Sequence, residues 1–523
     1  MRRFFSLLAA ALLLISFAGC ADKETPAQQN LEEAAKKGEL RLPLLTLPYT
    51  FNPCVADEGD PALVENLFSR LFRITGTGEL AGDLVSQWDY PEGATDIAMT
   101  LRSGSIRWHD GQPLTGADIK FTLEGIKAQQ GVLAEQLAGI ESVEVVSDTQ
   151  FVIHLTRYEP FLLYTLAQDG ASILPMHLYE GQESWVTAPA ATAPVGSGPF
   201  KFVERVEGTS ITLEKFSGYY GGAPRTGKLI FKLYASADDA LESFEAGELD
   251  LLDCGMPMSK AAEYAAADDY KLVTTDDASR ISLVFNVTNA NGVFFGNPEL
   301  RKAILYALDR EALAAAAAPL ASPADSFVAP LFESAQNSAA ALPSPDAAKA
   351  DELLDSKYDK DAQGKYLRLT LTVFDAEPYP EIAAVIKQAL AEAGIEVTVV
   401  QLPFDEWQED VLAGGEFEMA LSGGSWGPYP EAMIHRVAAG GRLNYGGYNI
   451  QSVSDKLYAA IFEGKPALRA SYLADVQATL LDHLPLIPLV DWYSPVALQA
   501  HVENPPQRSQ TLSPFEYGAT DMK

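Results

Sequence analysis

Two hydrophobic periods recur along this chain. Short alternating or β-rich runs predict strands at 41–47, 98–102, 106–108, 151–155, 211–216, 228–233, 249–252, 281–287, 367–374, 395–400 and 417–421. Apolar residues three and four apart predict helices between them. Leu63, Leu67, Phe68 and Leu71 share one face of 60–72, and Ile119, Leu123 and Ile126 share another behind the capping-box spacing Thr115–Asp118. A third helix is expected over 237–246, closed by Gly247. Asn297–Pro298 reads as an N-cap with proline at the first helical position, followed by Leu300, Ile304, Ala307 and Leu308. The cleanest stripe is Ile382, Val385, Ile386, Ala389 and Leu390 within 381–393, with Gly394 after it. Strand and helix signals alternate throughout, so the class is α/β or α+β. Residues 314–345 are rich in Ala, Ser and Pro and read as simple loop except near Phe327 to Phe332.

Length and charge narrow this picture. A chain of 523 residues makes roughly two to four domains. Its net charge of −33 repels phosphate backbones, so no nucleic acid is expected as a partner. At the N-terminus a short basic stretch, Met1-Arg2-Arg3, precedes an almost wholly apolar run from Phe4 to Phe17. That is shorter than the about 20 residues of a membrane span and matches a signal peptide. Cys20 directly after Ala18-Gly19 resembles the bacterial lipoprotein cleavage box, although Phe17 departs from its usual aliphatic residue. The resemblance implies a signal peptide at 1–19, lipidation of Cys20 and a polar tether over 20–37. An ordinary secretory signal or an uncleaved anchor is the alternative. Either way the body is expected outside the cytoplasmic membrane, periplasmic or at the cell surface. Cys54 and Cys254 then admit one disulfide in an oxidising compartment, or two buried free thiols.

Local catalytic chemistry is missing. No two of the six histidines lie at zinc-site spacing, and Gly196-Ser197-Gly198 is not a nucleophile elbow. No phosphate-cradling glycine loop is present, and neither a metal site nor a cofactor is expected. These absences argue for a binding protein over an enzyme. An exported peptide or glycan hydrolase stays as the alternative of another class, because triads need not be local.

Four blocks together resemble the family 5 solute-binding proteins of bacterial peptide and nickel ABC importers. They are Leu101 to Asp118, Pro194 to Phe200 continuing to Tyr219-Tyr220-Gly221-Gly222, Ala246 to Asp250, and Pro298 to Arg310. Physically they read mostly as scaffold, Trp108 included. The resemblance implies a two-lobed α/β fold of the type II periplasmic-binding-protein kind, with an additional small α+β domain. Lobe I would comprise 38–72, 190–282 and 489–523, the additional subdomain 73–189, and lobe II 283–488. Such a monomer would close on a short peptide or peptide-like solute, or on a nickel chelate, and deliver it to an ABC permease.

The ligand question turns on Gly424-Ser425-Trp426-Gly427-Pro428-Tyr429-Pro430-Glu431. In the peptide-binding branch an aspartate after the tryptophan holds the ligand's ammonium. This chain has Pro428 or a gap there, so that charge would have to come from another acid such as Asp169 or Glu431. The nickel-chelate branch has a similar Trp-Gly-x-Pro-Tyr run, but its cationic residues are not identifiable here. Trp426 and Tyr429 are the leading ligand-binding candidates, since aromatic walls suit planar or apolar groups. Trp426 as interlobe core is the bland reading. Asn52 with Pro53, and Phe327 with Pro330, are lesser candidates. Trp426→Ala is expected to weaken ligand affinity with little loss of stability.

Overall fold

The computed structural model describes residues 38–56, 61–75, 80–104, 106–159, 161–427, 429–503 and 521–522. The signal-peptide, tether and Cys20 expectations lie outside these. Strand β1 (Glu39–Leu44) buries Leu40, Leu42 and Leu44. It leads to helix α1 (Pro61–Leu67), whose Leu63 and Leu67 enter the same core.

An antiparallel sheet follows, built from β2 (Val85–Asp89), β3 (Asp96–Leu101), β4 (Ile140–Val145) and β5 (Gln150–Leu155) in the order β2-β3-β5-β4. Helix α2 (Gly116–Ala128) packs on it through Ile119, Leu123 and Ile126. The expected capping box is formed. The Thr115 N–H donates to the Asp118 carboxylate at 2.8 Å, and Thr115 Oγ1 accepts from the Ala117 N–H at 3.3 Å. The stretch 106–108 is not a strand. The tight turn at Asp110-Gly111 leaves a single bridge, Arg107 to Pro113, and Trp108 is fully buried.

The chain then returns to β1 with β6 (Phe200–Val206), β7 (Ser210–Lys215) and β8 (Lys228–Leu233), giving the order β1-β8-β7-β6. Here two of the recognised blocks meet. His109 Nε2–H donates to the Gly198 carbonyl at 3.0 Å, and the Gly196 N–H donates to His109 Nδ1 at 3.1 Å. A Cβ on Gly196 would stand 1.7 Å from the Leu67 carbonyl oxygen, so the end of α1 can approach only a glycine. Helix α3 (Ala237–Glu245) buries Ala240 and Phe244. Beyond it the third block supplies a buried clamp. Asp250 accepts from Arg41 Nε and Nη2 at 2.9 and 2.6 Å and pairs with His501 at 3.3 Å. Burial opposes the Asp250 charge, but these partners outweigh it and hold its pKa below the ordinary value.

Helix α4 (Met258–Ala266) precedes the long strand β9 (Tyr270–Phe285), of which only the last third was expected. Helix α5 (Pro298–Ala307) begins at the Asn297 cap as expected. Its buried Arg301 donates to the His483 carbonyl at 2.9 and 2.6 Å. Further elements that shape the second half include β10 (Leu367–Phe374), α6 (Tyr379–Glu392), β11 (Ile395–Leu402), β12 (Met419–Ser422), α7 (Gln451–Ile461), α8 (Pro466–His483) and the long strand β13 (Leu486–Gln499). The two long strands pair antiparallel from Tyr270↔Gln499 to Val284↔Leu486, with a register break between Asp276 and Arg280. On one side of the break Val496 and Leu498 join the core of β1 and β8. On the other, Ile281, Leu283, Ile487 and Val490 join a second core with β10, β12 and α6. The molecule is therefore two-lobed, with β9 and β13 crossing between the lobes. The β2–β5 sheet shares the first lobe's core. Among the described residues no helix is long and apolar enough to cross a membrane.

No bridge joins Cys54 to Cys254, which corrects the disulfide expectation. Cys54 sits in the lobe I core with its thiol donating to the Ser172 carbonyl at 3.2 Å, whereas Cys254 packs against a separate cluster of Ala240, Phe244 and Tyr264. Burial raises the Cys54 pKa and keeps it a thiol.

Candidate ligand-binding cleft

Strands β10, β11 and β12 are mutually parallel and end together at Phe374, Leu402 and Ser422. The carboxyl edge of such a sheet is where open α/β folds hold ligands. Aromatic side chains gather there. Phe374 meets Tyr379 at a centroid distance of 3.7 Å and Trp407 at 5.5 Å, and Trp407 meets Phe404 and Tyr445. The Tyr379 hydroxyl occupies the place a Gly423 side chain would take.

Trp426 lies in the loop after β12 and is 6% exposed. Its N–H donates to the Ala278 carbonyl at 3.0 Å, fastening the loop to the register break in β9. Two guanidinium groups flank its ring, with Arg280 Cζ at 5.1 Å and Arg436 Cζ at 5.6 Å. Arg280 is fully buried, paired with Asp491 at 2.6 Å and donating to the Ser326 carbonyl at 2.7 Å. Arg436 donates to the Ser425 carbonyl at 3.0 Å. Burial lowers its pKa, opposed in part by Tyr445. Ser422 Oγ and the Tyr445 hydroxyl share a hydrogen bond of 2.6 Å in the same narrow pocket.

The same loop then crosses to the other lobe. Tyr429 stacks on Phe161 at 4.3 Å and 25°, with Tyr164 edge-on at 5.9 Å. Arg469 lies over the Phe161 ring and grips the fully buried Glu431 with two bonds of 2.5 and 2.8 Å. Beside this seam is a cavity of about 450 Å³ lined by Glu135, Arg157, Phe161, Leu162, Ile461 and Phe462 among others. Toward the long strands, the Met258 N–H donates to Glu377 at 2.7 Å, a second contact between the halves. Among the described residues no group of three His, Cys, Asp or Glu side chains could hold a metal ion.

Residues 79–442, well over half of the chain, match the family of bacterial extracellular solute-binding proteins, family 5. The chain belongs to this family. As a family 5 protein it is a solute-binding protein and not an enzyme. The oligopeptide-binding protein AppA of Bacillus subtilis is 25% identical to it over 484 residues, covering 86% of this chain and 85% of that protein. Among solved structures, the ABC transporter substrate-binding protein CtaP of Listeria monocytogenes superposes with a TM-score of 0.81 at 23% identity, covering 92% of this chain and 99% of CtaP. NikZ of Campylobacter jejuni, solved with Ni(L-His), superposes with a TM-score of 0.72 at 22% identity, covering 92% and 97%. Both structures share the fold.

The family 5 fold places the sequence candidates unequally. Trp426 is at the carboxyl edge of lobe II. Tyr429 is in the interlobe seam, its ring covered by Phe161. Asn52 and Phe327 are fully buried, and Asn52 lines a small pocket with Phe51, Pro53 and Leu63. Asn52 Oδ1 caps the Cys54 N–H at 3.0 Å, and Phe327 packs in the lobe II core. The two acids suggested for an ammonium group are committed elsewhere: Asp169 pairs with Arg70, and Glu431 with Arg469. Buried arginines demand counter-ions, and these carboxylates supply them. Arg436, Tyr445, Tyr379 and Trp407 escaped sequence reasoning. Phe374 and Tyr379 were within reach, because one ends the expected strand Leu367–Phe374 and the other opens the helix that follows it.

Proposed function

We propose that this protein captures a short peptide or peptide-like solute between its lobes and delivers it unaltered to an ABC permease. The carrying observation is the Trp426 loop: one end is fastened to the hinge strand β9, its middle lies at the carboxyl edge of lobe II, and its far end touches the other lobe. A loop so placed can report ligand occupancy to the lobe arrangement, with binding favouring closure by differential affinity. AppA of Bacillus subtilis is named for oligopeptides, which supports the solute class. A nickel chelate is the second reading. NikZ was solved with Ni(L-His), and the commitment of Asp169 and Glu431 to arginines leaves neither to hold a peptide ammonium. Trp426 and Tyr429 are the proposed contact residues. The lobe boundaries expected from sequence, a lipid at Cys20 holding the mature chain to a membrane, and a monomeric state complete the proposal.

Native mass spectrometry of protein purified without refolding tests this directly. A co-purified peptide or metal chelate, released intact on denaturation, is the expected result. Cleavage products accumulating from an added peptide library would refute it.

A further inference from the structure

The place where β9 and β13 cross between the lobes is irregular in a specific way. Pairing stops at Asp276↔Tyr493 and resumes at Arg280↔Asp491, so residues 277–279 of β9 stand opposite the single residue Trp492. Such a bulge bends its strand and raises the local twist. Ala278, in its middle, has a φ of +60° and is 1% exposed. A residue with a Cβ is disfavoured in that left-handed region, where the methyl crowds the following carbonyl. Strain of this kind persists only where the surroundings enforce it. Here backbone groups do so. The Trp426 N–H donates to the Ala278 carbonyl at 3.0 Å, the Arg280 N–H donates to the Gly424 carbonyl at 3.2 Å, and Ser279 pairs antiparallel with Ser425 between them. Residues 424–426 thus lie on the bulge as a short extra strand. The far end of the same loop, Tyr429, rests on Phe161 of the other lobe.

We propose that Ala278 is a strained pivot. It is held left-handed while the Trp426 loop is docked on β9 and the lobes touch, and it relaxes to extended backbone when loop and lobes part. Closure then works against a spring built into the crossing strand, and a solute that closes the lobes must overcome it by its differential affinity. Glycine at this position would store no strain, and a β-branched residue would crowd the bulge further. The inference rests on the capture reading only in requiring lobes that open, and it holds whatever the solute is.

Two substitutions load this spring in opposite senses. Ala278→Gly removes the strain. Gly424→Ala adds strain to the loop instead: Gly424 has a φ of +111°, and a methyl there would meet nothing nearer than 3.7 Å, so only the backbone conformation is penalised. Hydrogen exchange of the ligand-free full chain, read by mass spectrometry with fragmentation to single residues, follows the Trp426 and Arg280 amides. Small-angle scattering of the same samples follows the lobes. Both amides should exchange about fivefold more slowly in Ala278→Gly and about fivefold faster in Gly424→Ala, with amides inside β10 unchanged. The radius of gyration of Gly424→Ala should exceed that of Ala278→Gly. Amides unprotected in the unmodified protein, equal rates in all three proteins, or a slowing shared by β10 would overturn the proposal. A change in exchange without a difference in scattering overturns it as well, because the strain would then be the same however the lobes stand. Should Gly424→Ala fail to fold, Ala278→Gly set against the unmodified protein carries both comparisons. The capture reading fails separately, on cleavage of an added peptide library.

Discussion

Arg280, on a strand shared by both lobes, sits over the ring of Trp426, at the carboxyl edge of the lobe II sheet, with 5.1 Å between its Cζ and the ring centroid. The pair joins two functions that a hinged receptor must connect. Arg280 is held by Asp491 of the partner strand β13 just beyond the register break. The Trp426 loop is therefore packed directly on the pair of strands that run between the two cores.

Trp426→Ala removes a nearly enclosed indole from between two guanidinium groups. The sequence alone suggested little loss of stability; the packing argues otherwise. A large aromatic deleted from such surroundings costs about 3 kcal/mol or more. Chemical denaturation should show that loss, together with at least about tenfold weaker ligand binding. Trp426→Phe should recover much of the stability. If Trp426→Ala leaves the denaturation midpoint unchanged, the ring is not packed as described.

His109 makes stability depend on pH. Burial is the main reason its pKa falls from 6.5 to about 4, outweighing the hydrogen bond to Gly198. The unfolded chain takes up a proton near pH 6.5 and the folded one only near pH 4. Folding is thus favoured fully by this group above pH 6.5, and the contribution is lost as pH falls toward about 4. The loss amounts to about 3 kcal/mol. Denaturation curves at pH 7, 5.5 and 4.5 should show a decline that His109→Gln, which can keep both hydrogen bonds, makes shallower.

Gly196→Ala should destabilise by about 3 kcal/mol or prevent folding. The added methyl would collide with backbone, the Leu67 carbonyl oxygen, and not with a side chain that could turn away. Thermal unfolding of the purified variant checks this. A substitution without effect would mean that α1 and the 194–200 segment do not meet as closely as described.

Tyr429→Ala removes the stack on Phe161 that joins the lobes at the rim. The expected consequence is a larger radius of gyration in ligand-free solution, read by small-angle scattering, because closure loses an aromatic contact worth about 1 kcal/mol beyond its buried area. Added ligand should restore compaction. An identical scattering profile in the two ligand-free proteins would show that this contact does not bias the lobes.

Much of the architecture was readable before any coordinates. The Thr115–Asp118 cap, the Asn297 cap, the strand Leu367–Phe374 and the helix after it depend on neighbours a few residues away, and each formed as expected. The long strands β9 and β13 were read only in part or not at all. Each changes core midway, so its buried face follows no single alternation. The pairing of Cys54 with Cys254 failed for a related reason: count and compartment permit a bridge, but distance decides it.

The family, the mixed α/β class and the scaffold blocks could be read along the chain, because caps, turns and amphipathic stripes are local and their residues carry the signal. Which charges are already neutralised emerges on folding. Asp169 and Glu431 look available in a linear chain, yet each lies against an arginine that folding brings to it. Arg436 looks like any basic residue until folding buries it against the Trp426 ring and the Ser425 carbonyl. Electrostatic pairing acts across a few ångströms of space whatever the separation along the chain, so the composition of a site can be guessed from sequence while its net charge waits for the fold.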